Sequence, residues 1–226
     1  CIDVGGSEHN INANSGVVVC AGAIKTPQLL MLSGIGNREH LALNNIDCRH
    51  HLPGVGQNLQ DHACINIAFH ASPGTRHISL AGLSSPINKI SAGSRWLIDG
   101  TGPAASNIWE GGGLVYGQHG GFDRNCSSNL DAPNLQYHFC PVFSSYSGRE
   151  LSLFPGFQIQ IDQLRPHSRG SVQLRSSRPT DDPVVQFNYL SDDRDVAELV
   201  DGFKTAQELL SQPAFDKFRG SRGIPP

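Results

Sequence analysis

The rhythm of apolar and polar positions changes twice along the chain, near residue 62 and again near residue 191. In the first stretch apolar residues come in runs. Val17, Val18 and Val19 form a β-branched run, the small residues Cys20, Ala21, Gly22 and Ala23 follow, and Leu29, Leu30, Met31 and Leu32 supply an apolar turn. A β-branched run reads as a buried strand, and small residues after it let a ligand approach the backbone. The pattern predicts strands over residues 1–4 and 16–21 joined by a polar loop. A short buried helix then begins with Thr26 as N-cap and Pro27 at the first helical position, and Gly34 stops it. Asn37 caps a second helix through His40, Leu41 and Leu43 that ends near Asn44 and Asn45. Residues 46–52 read as extended, and Pro53 and Gly54 turn the chain.

From residue 63 to about 190 runs give way to alternation in ACINIAF, LQYHF, GFQIQIDQL and GSVQLRS, separated by Gly, Ser and Pro loops. Phe157, Ile159 and Ile161 alternate with Gln158, Gln160 and Asp162, and Val172 and Leu174 with Ser171, Gln173 and Arg175. This predicts an antiparallel sheet with one buried face and a polar face able to border a pocket. Residues 192–212, ending at Pro213, read as a helix with Val196, Leu199, Val200, Phe203, Ala206 and Leu210 on one side and an acidic start that suits its dipole.

Composition narrows the function classes. The 226 residues, 38% hydrophobic with net charge −3, suffice for one or two cores. Scattered Lys and Arg argue against nucleic acid. No apolar run reaches the roughly 18–20 residues of a membrane span. The sequence starts abruptly at Cys1 without Met or a signal peptide, so the compartment is unreadable from targeting, with a cytoplasmic location slightly favoured. Cys1, Cys20, Cys48, Cys64, Cys126 and Cys140 lack metal or disulfide spacing, so they read as reduced; Cys20 and Cys64 read as core residues, and Cys126 lies in a polar loop. No metal site is expected, and no GxSxG elbow supports a serine hydrolase.

The chemistry concentrates at two places. The strand-to-helix turn around Gly22 presents helix N-terminal amides, which suit a pyrophosphate or simply the next loop. Glu110, in SNIWEGGGLV, follows Trp109, and a carboxylate beside an aromatic suits a cation without N–H donors; the plainer reading is a strand-end Glu bonding nearby amides. Gly111, Gly112 and Gly113 read as a bend or bulge. Asp61 and His62 are adjacent and point to opposite faces, as do His50 and His51, so Asp61 reads as a loop-fixing acceptor.

The segment from Gly22 to Gly36 resembles the second signature of the glucose-methanol-choline (GMC) flavoprotein oxidoreductases, met by Gly22, Thr26, Pro27, Leu30, Met31, Ser33, Gly34, Ile35 and Gly36. LPGVGQNLQDH, GTGPAASNIWEGGGLV, PNLQYHF, HSRGSVQLRS, FNYLSDD and LLSQPAFDKFRG resemble the choline-dehydrogenase-like branch in order and spacing. The resemblance implies an α/β plus α+β fold. Residues 1–62 would be part of an FAD-binding domain, 63–190 an antiparallel-sheet substrate domain laid over the flavin, and 191–226 a helix returning toward the first. FAD is the implied cofactor, with Ala21, Gly22, Thr26 and Asn58 lining its site, and Glu110 faces the substrate. The implied reaction oxidises a primary alcohol to an aldehyde by hydride transfer to flavin. A lyase of the same fold, or a non-catalytic remnant acting as an interaction module, are the alternatives. The family's GxGxxG turn is absent, and its catalytic histidine is expected beyond Pro226. The chain therefore reads as an internal segment, inactive alone, whose partners are the remaining portions of the enzyme and a small alcohol.

Overall fold

The computed structural model of the chain describes residues 2–5, 7–9, 11–117, 132–147 and 150–224. In chain order these form β1 (Ile2–Val4), β2 (Ser7–His9), α1 (Gly22–Leu32), β3 (Ile35–Gly36), α2 (Arg38–Leu43), β4 (His50–His51), β5 (Gln57–Leu59) and β6 (Cys64–Ala71). There follow α3 (Pro86–Asp99), β7 (Gly111–Val115), β8 (Leu135–Cys140), β9 (Phe143–Ser147), β10 (Glu150–Phe154), β11 (Gly156–Gln163), β12 (Gly170–Gln173), β13 (Val184–Gln186), α4 (Asp193–Leu210) and β14 (Arg219–Ile224). They divide into two compact units, Cys1–Leu59 with Gly170–Phe187, and Gln60–Arg169 with Asn188–Pro226.

In the first unit α1 begins at Gly22, five residues before the expected first helical position at Pro27, with Ala21 at the N-cap and Pro27 inside the helix. The reason is Thr26, whose Oγ1 accepts from the Ala21 amide at 3.1 Å and so closes the turn before the helix instead of capping one after it. Ser33 ends α1, Gly34 takes φ +83°, and its amide bonds the Met31 carbonyl, so the expected stop is where it was read. Asn37 caps α2 through Oδ1, which accepts from the His40 amide at 3.0 Å. The expected strand at 16–21 is not formed. Val17 and Val18 are 79% and 88% exposed, and among the described residues no strand pairs with them; a β-branched run without a ladder partner has nothing to hold it extended. β1 turns at Gly5 and pairs with β2 instead. Met31, Leu41 and Leu174 form the core, flanked by Leu32, Ile46, Cys48 and Val55.

Leu174 reaches that core because GSVQ does not join the large antiparallel sheet. It forms β12, the centre of a separate sheet ordered β13-β12-β5. The alternation in this strand is as read, with Val172 and Leu174 buried. Gly56 permits the contact: at φ +76° a Cβ there would lie 2.1 Å from the Val172 carbonyl oxygen. Gln28 donates to the Asp181 carbonyl at 2.8 Å and Lys25 pairs with Asp182 at 3.0 Å, tying α1 to the same hairpin.

The second unit is built on a five-stranded antiparallel sheet ordered β14-β6-β11-β8-β7. One face packs on α4: Ile67, Leu135, Tyr137, Phe157, Ile159 and Ile161 meet Leu199, Ala206 and Leu210. Each such aliphatic side chain contributes about 1.5–3 kcal/mol by leaving water. The helix is rotated from its expected face. Val196 and Val200 are exposed, and the buried stripe is Asp195, Glu198, Leu199, Gly202, Ala206 and Leu210. Gly202 sets this rotation, since a Cβ there would be 2.9 Å from Leu135, and Tyr137 donates its hydroxyl to the Gly202 carbonyl at 2.9 Å.

The two buried carboxylates are not left unpaired. Asp195 accepts from the amides of His167 and Ser168, both at 2.7 Å, from Gln163 Nε2 at 2.8 Å, and from the Ser168 hydroxyl. Glu198 accepts from Asn134 and Gln163. Although burial opposes its charge most strongly, the amides and the hydroxyl hold Asp195 below the usual carboxylate range, whereas burial pushes Glu198 up.

The glycine triplet at 111–113 is neither bend nor bulge. It forms β7, the edge strand beside β8, because a Cβ on Gly112 would lie 2.5 Å from the Tyr137 carbonyl oxygen. Cys20 and Cys64 are exposed rather than core residues: Cys20 follows the open Val17 and Val18, and Cys64 stands at the exposed start of β6; Cys140 is buried, and Cys126 lies outside the described residues. No helix among the described residues is long and apolar enough to cross a membrane, and they hold no cluster of metal-ligating side chains.

Candidate functional site

The register of the five-stranded sheet assigns its second face. Side chains alternate along a strand, so the residues between those that meet α4 share the opposite side: Asn66 on β6, His138 on β8, Gln158, Gln160 and Asp162 on β11. Here the polar half of the alternation is buried as well; Gln158 and Asp162 are 3% and 7% exposed. Gln158 accepts from the amide and hydroxyl of Ser144, so β9 folds over that end of the face. At the other end His138 Nε2 lies 3.4 Å from Asp162 Oδ2, and Gln160 Nε2 donates to Asp162 Oδ1 at 2.8 Å. Asn66 Oδ1 is buried and has no hydrogen-bond partner among the described residues. A buried acceptor without a donor costs about 1–3 kcal/mol, which a ligand hydroxyl or amide would relieve.

Glu110 joins this face from the edge. Its amide bonds the Phe139 carbonyl at 3.1 Å, extending the β7–β8 ladder by one residue and setting Glu110 opposite Cys140. The carboxylate accepts from the Ser106 hydroxyl, which in turn accepts from the Ile108 amide at 2.9 Å. Ile108 has φ +77°, an unfavourable conformation for a β-branched residue, costing on the order of 1–3 kcal/mol. The kink re-aims Trp109. On a regular strand Trp109 would point away from Glu110; its ring instead meets the His138 imidazole, with centroids 4.9 Å apart. Sequence reading singled out Glu110 but missed His138, Asp162 and Asn66, although the polar register of GFQIQIDQL pointed to that face. Cys140, on the same side, has its thiol pushed up by burial and is poorly nucleophilic.

Asp61 lies apart from these groups. Its Oδ1 accepts from the His62 amide at 3.0 Å and its Oδ2 from the Tyr189 hydroxyl, a bond that pushes the Tyr189 phenol up to about 12. It fixes a loop and shares no site with the His62 imidazole.

In the first unit, Ala21, Gly22 and Thr26 surround the open end of α1. The helix has no side-chain cap and no acidic residue in its first turn. Gly22 takes φ +78° with open space where a Cβ would be. Uncapped amides at a helix start, with backbone exposed by small residues, fit an anionic group such as the pyrophosphate of a dinucleotide. Asn58, at φ +62°, lies on β5 of the same unit.

Family models for the N-terminal and C-terminal regions of GMC oxidoreductases match residues 1–64 and 166–225. The chain belongs to the GMC oxidoreductase family. It is 40% identical over 219 residues to the oxygen-dependent choline dehydrogenase of Xanthomonas axonopodis pv. citri, covering 96% of this chain and 37% of that protein. It is 38% identical over 212 residues to the enzyme of the same name from Cronobacter sakazakii, covering 94% and 36%. The chain thus spans little more than a third of the length of these curated relatives. Among solved structures, an FAD-dependent oxidoreductase from Chaetomium thermophilum superposes with TM-score 0.79 at 21% identity, covering 98% of this chain and 42% of that one. A formate oxidase gives 0.73 at 23%, covering 90% and 38%. The fold is therefore that of GMC oxidoreductases, with mixed helices and antiparallel sheets, and the family's cofactor is FAD.

Proposed function

We propose that the chain is the part of an FAD-dependent alcohol oxidoreductase that supplies one wall of the flavin site and the substrate-facing sheet, and that the alcohol is primary and cationic, as choline is. The observation that supports this most is the polar face itself, where a carboxylate, Glu110, and an indole, Trp109, stand at one edge beside His138. A quaternary ammonium offers no N–H donors, so a carboxylate and an aromatic face are what can bind it. The 40% identity to oxygen-dependent choline dehydrogenases over nearly the whole chain points the same way.

FAD, when bound, supplies the hydride acceptor. Gly22 presents a backbone amide to its phosphates at the uncapped start of α1, Thr26 shapes that turn by holding the Ala21 amide with its hydroxyl, and Asn58 contributes a polar contact from β5. Glu110, oriented by Ser106, binds the cationic end of the substrate. Trp109 excludes water from that end, and Asn66 Oδ1 is available to a donor on the bound molecule. Among the described residues none is assigned the removal of the hydroxyl proton, which we assign to a part of the complete enzyme that this chain does not include.

The test is anaerobic mixing of the complete flavoenzyme with choline while the flavin absorbance is followed. Bleaching in the wild type, with a KM raised about tenfold or more in Glu110→Gln and kcat changed far less, is the expected result. Turnover without bleaching would identify a lyase of the same fold. Bleaching with KM unchanged in E110Q would remove Glu110 from the substrate site.

A further inference from the structure

We propose that Asp162 is a positioning residue of the substrate face, holding the His138 imidazole in the tautomer that leaves Nδ1 as a hydrogen-bond acceptor. This rests on the reading of the polar face as the substrate side. Stability gives no reason for a carboxylate at this position. Asp162 is 7% exposed, and a carboxylate taken out of water costs free energy that an apolar side chain of similar volume would not. Its three neighbours inward on β11 that face α4, Ile159, Ile161 and Phe157, show that this strand accepts apolar side chains readily.

The arrangement around Asp162 is directional. Gln160 Nε2 occupies Oδ1 at 2.8 Å, which turns Oδ2 to His138 Nε2 at 3.4 Å. An ionised carboxylate only accepts, so the nitrogen facing it carries the proton, and in the neutral ring the other nitrogen is then an acceptor. The contact is electrostatic rather than a formed hydrogen bond, and catalytic hydrogen bonds are often long or poorly aligned before substrate closes the site. Trp109 lies against the ring and limits its rotation. The face thus presents two acceptors, His138 Nδ1 and Asn66 Oδ1, in a site whose ligand is expected to bring a hydroxyl. Gln160 and Asp162 form a supporting layer behind the histidine. Asp162 does not touch the substrate; it acts through His138.

The experiment compares Asp162→Asn and Asp162→Glu in the complete flavoenzyme with choline as substrate, alongside long-range ¹⁵N NMR of the histidine side chains. Loss of the carboxylate behind a functional histidine costs on the order of 10–100-fold at metal sites, and a loss of that order is expected here. The expected result is a fall of that size in kcat/KM for D162N, mostly in kcat, with the His138 spectrum leaving its Nε2-protonated pattern. D162E, which keeps the acceptor, recovers most of the rate and the pattern. Should D162N lose its cooperative melt, Gln160→Leu carries the test, because it frees Asp162 to rotate without removing the charge and is expected to give a smaller loss of the same kind. An unchanged His138 pattern, or kcat/KM within twofold of wild type in the variants lacking the support, overturns the proposal. The site reading fails separately: if His138→Gln and E110Q both leave choline turnover intact, the face is not the substrate side, while the spectrum still reports whether Asp162 sets the tautomer.

Discussion

The three consecutive glycines of β7 are chemically identical and structurally unequal, which gives a prediction with its own controls. A Cβ built on Gly111 or Gly113 meets nothing within 4 Å, whereas one on Gly112 lies 2.5 Å from the Tyr137 carbonyl oxygen. Carbon and carbonyl oxygen rarely approach closer than about 3.2 Å outside a hydrogen bond. Gly112→Ala therefore forces the edge strand outward by several tenths of an ångström or breaks part of its ladder with β8, since the obstacle is backbone and cannot rotate aside. Overpacking of this kind costs about 1–3 kcal/mol. In a unit of this size each kcal/mol lowers the melting temperature by about 2–4 °C, so a loss of roughly 2–12 °C is expected. Gly111→Ala and Gly113→Ala, free of clash and not at positive φ, should be neutral or stabilising by up to about 1 kcal/mol, because alanine restricts the unfolded chain. Differential scanning calorimetry of the three variants in the flavoenzyme measures this directly. Gly112 also pairs with His138, and Glu110 enters the same ladder two residues earlier, so only G112A should also raise the KM for choline. If G112A melts with G113A, the close approach of β7 to β8 is wrong and the placement of Glu110 fails with it.

Two further predictions concern protons. Glu198 is pushed up by burial, so the folded state favours its protonated form: its contribution to stability is complete below the ordinary glutamate range and is lost as pH rises through the higher folded value. Glu198→Gln should abolish that loss, visible as a melting temperature that no longer falls from pH 5 to pH 7; the acid-side loss set by Asp195, held low in the fold, should persist. His40 has the opposite sense from a cationic partner. Its Nε2 accepts from the Leu174 amide at 3.0 Å, and burial pushes it below 6.5, so stability is full above that value and declines on acidification. His40→Gln, whose amide oxygen can accept the same bond without titrating, should flatten the unfolding profile between pH 7 and pH 5; an unchanged slope would mean the bond contributes nothing.

How far these features were legible depends on whether their signal is local. Asn37, Gly34 and the Phe157/Ile159/Ile161 alternation act on neighbours within a few residues, and each was read where it occurs. The start of α1 was misread because Thr26 and Pro27 fit an N-terminus by residue type, whereas the hydroxyl bonds backward to Ala21. The face of α4 was misread for a different reason: hydrophobicity favours Val196 and Val200, but Asn134, Gln163 and Ser168 lie at distant sequence positions and make Asp195 and Glu198 the better residues to bury. Glu110 was proposed from its neighbour Trp109 and from family resemblance, both local signals. Asp162 and His138 were not, because their pairing depends on the register between β8 and β11, which no single segment carries.

The first unit draws on two stretches of chain, Cys1–Leu59 and Gly170–Phe187, and the later stretch supplies the central strand of its three-stranded sheet and Leu174 of its core. A ribosome making this polypeptide must therefore emit all of Gln60–Arg169 before that core can close. At about 5–20 residues per second the wait is roughly 6–22 s. During it, Met31 and Leu41 have no Leu174 to cover them, while most strands of the five-stranded sheet are already available to pair. Synthesis thus imposes an order in which Cys1–Leu59, made before Gln60–Arg169, matures after it, and chaperone demand during translation should fall on that waiting stretch.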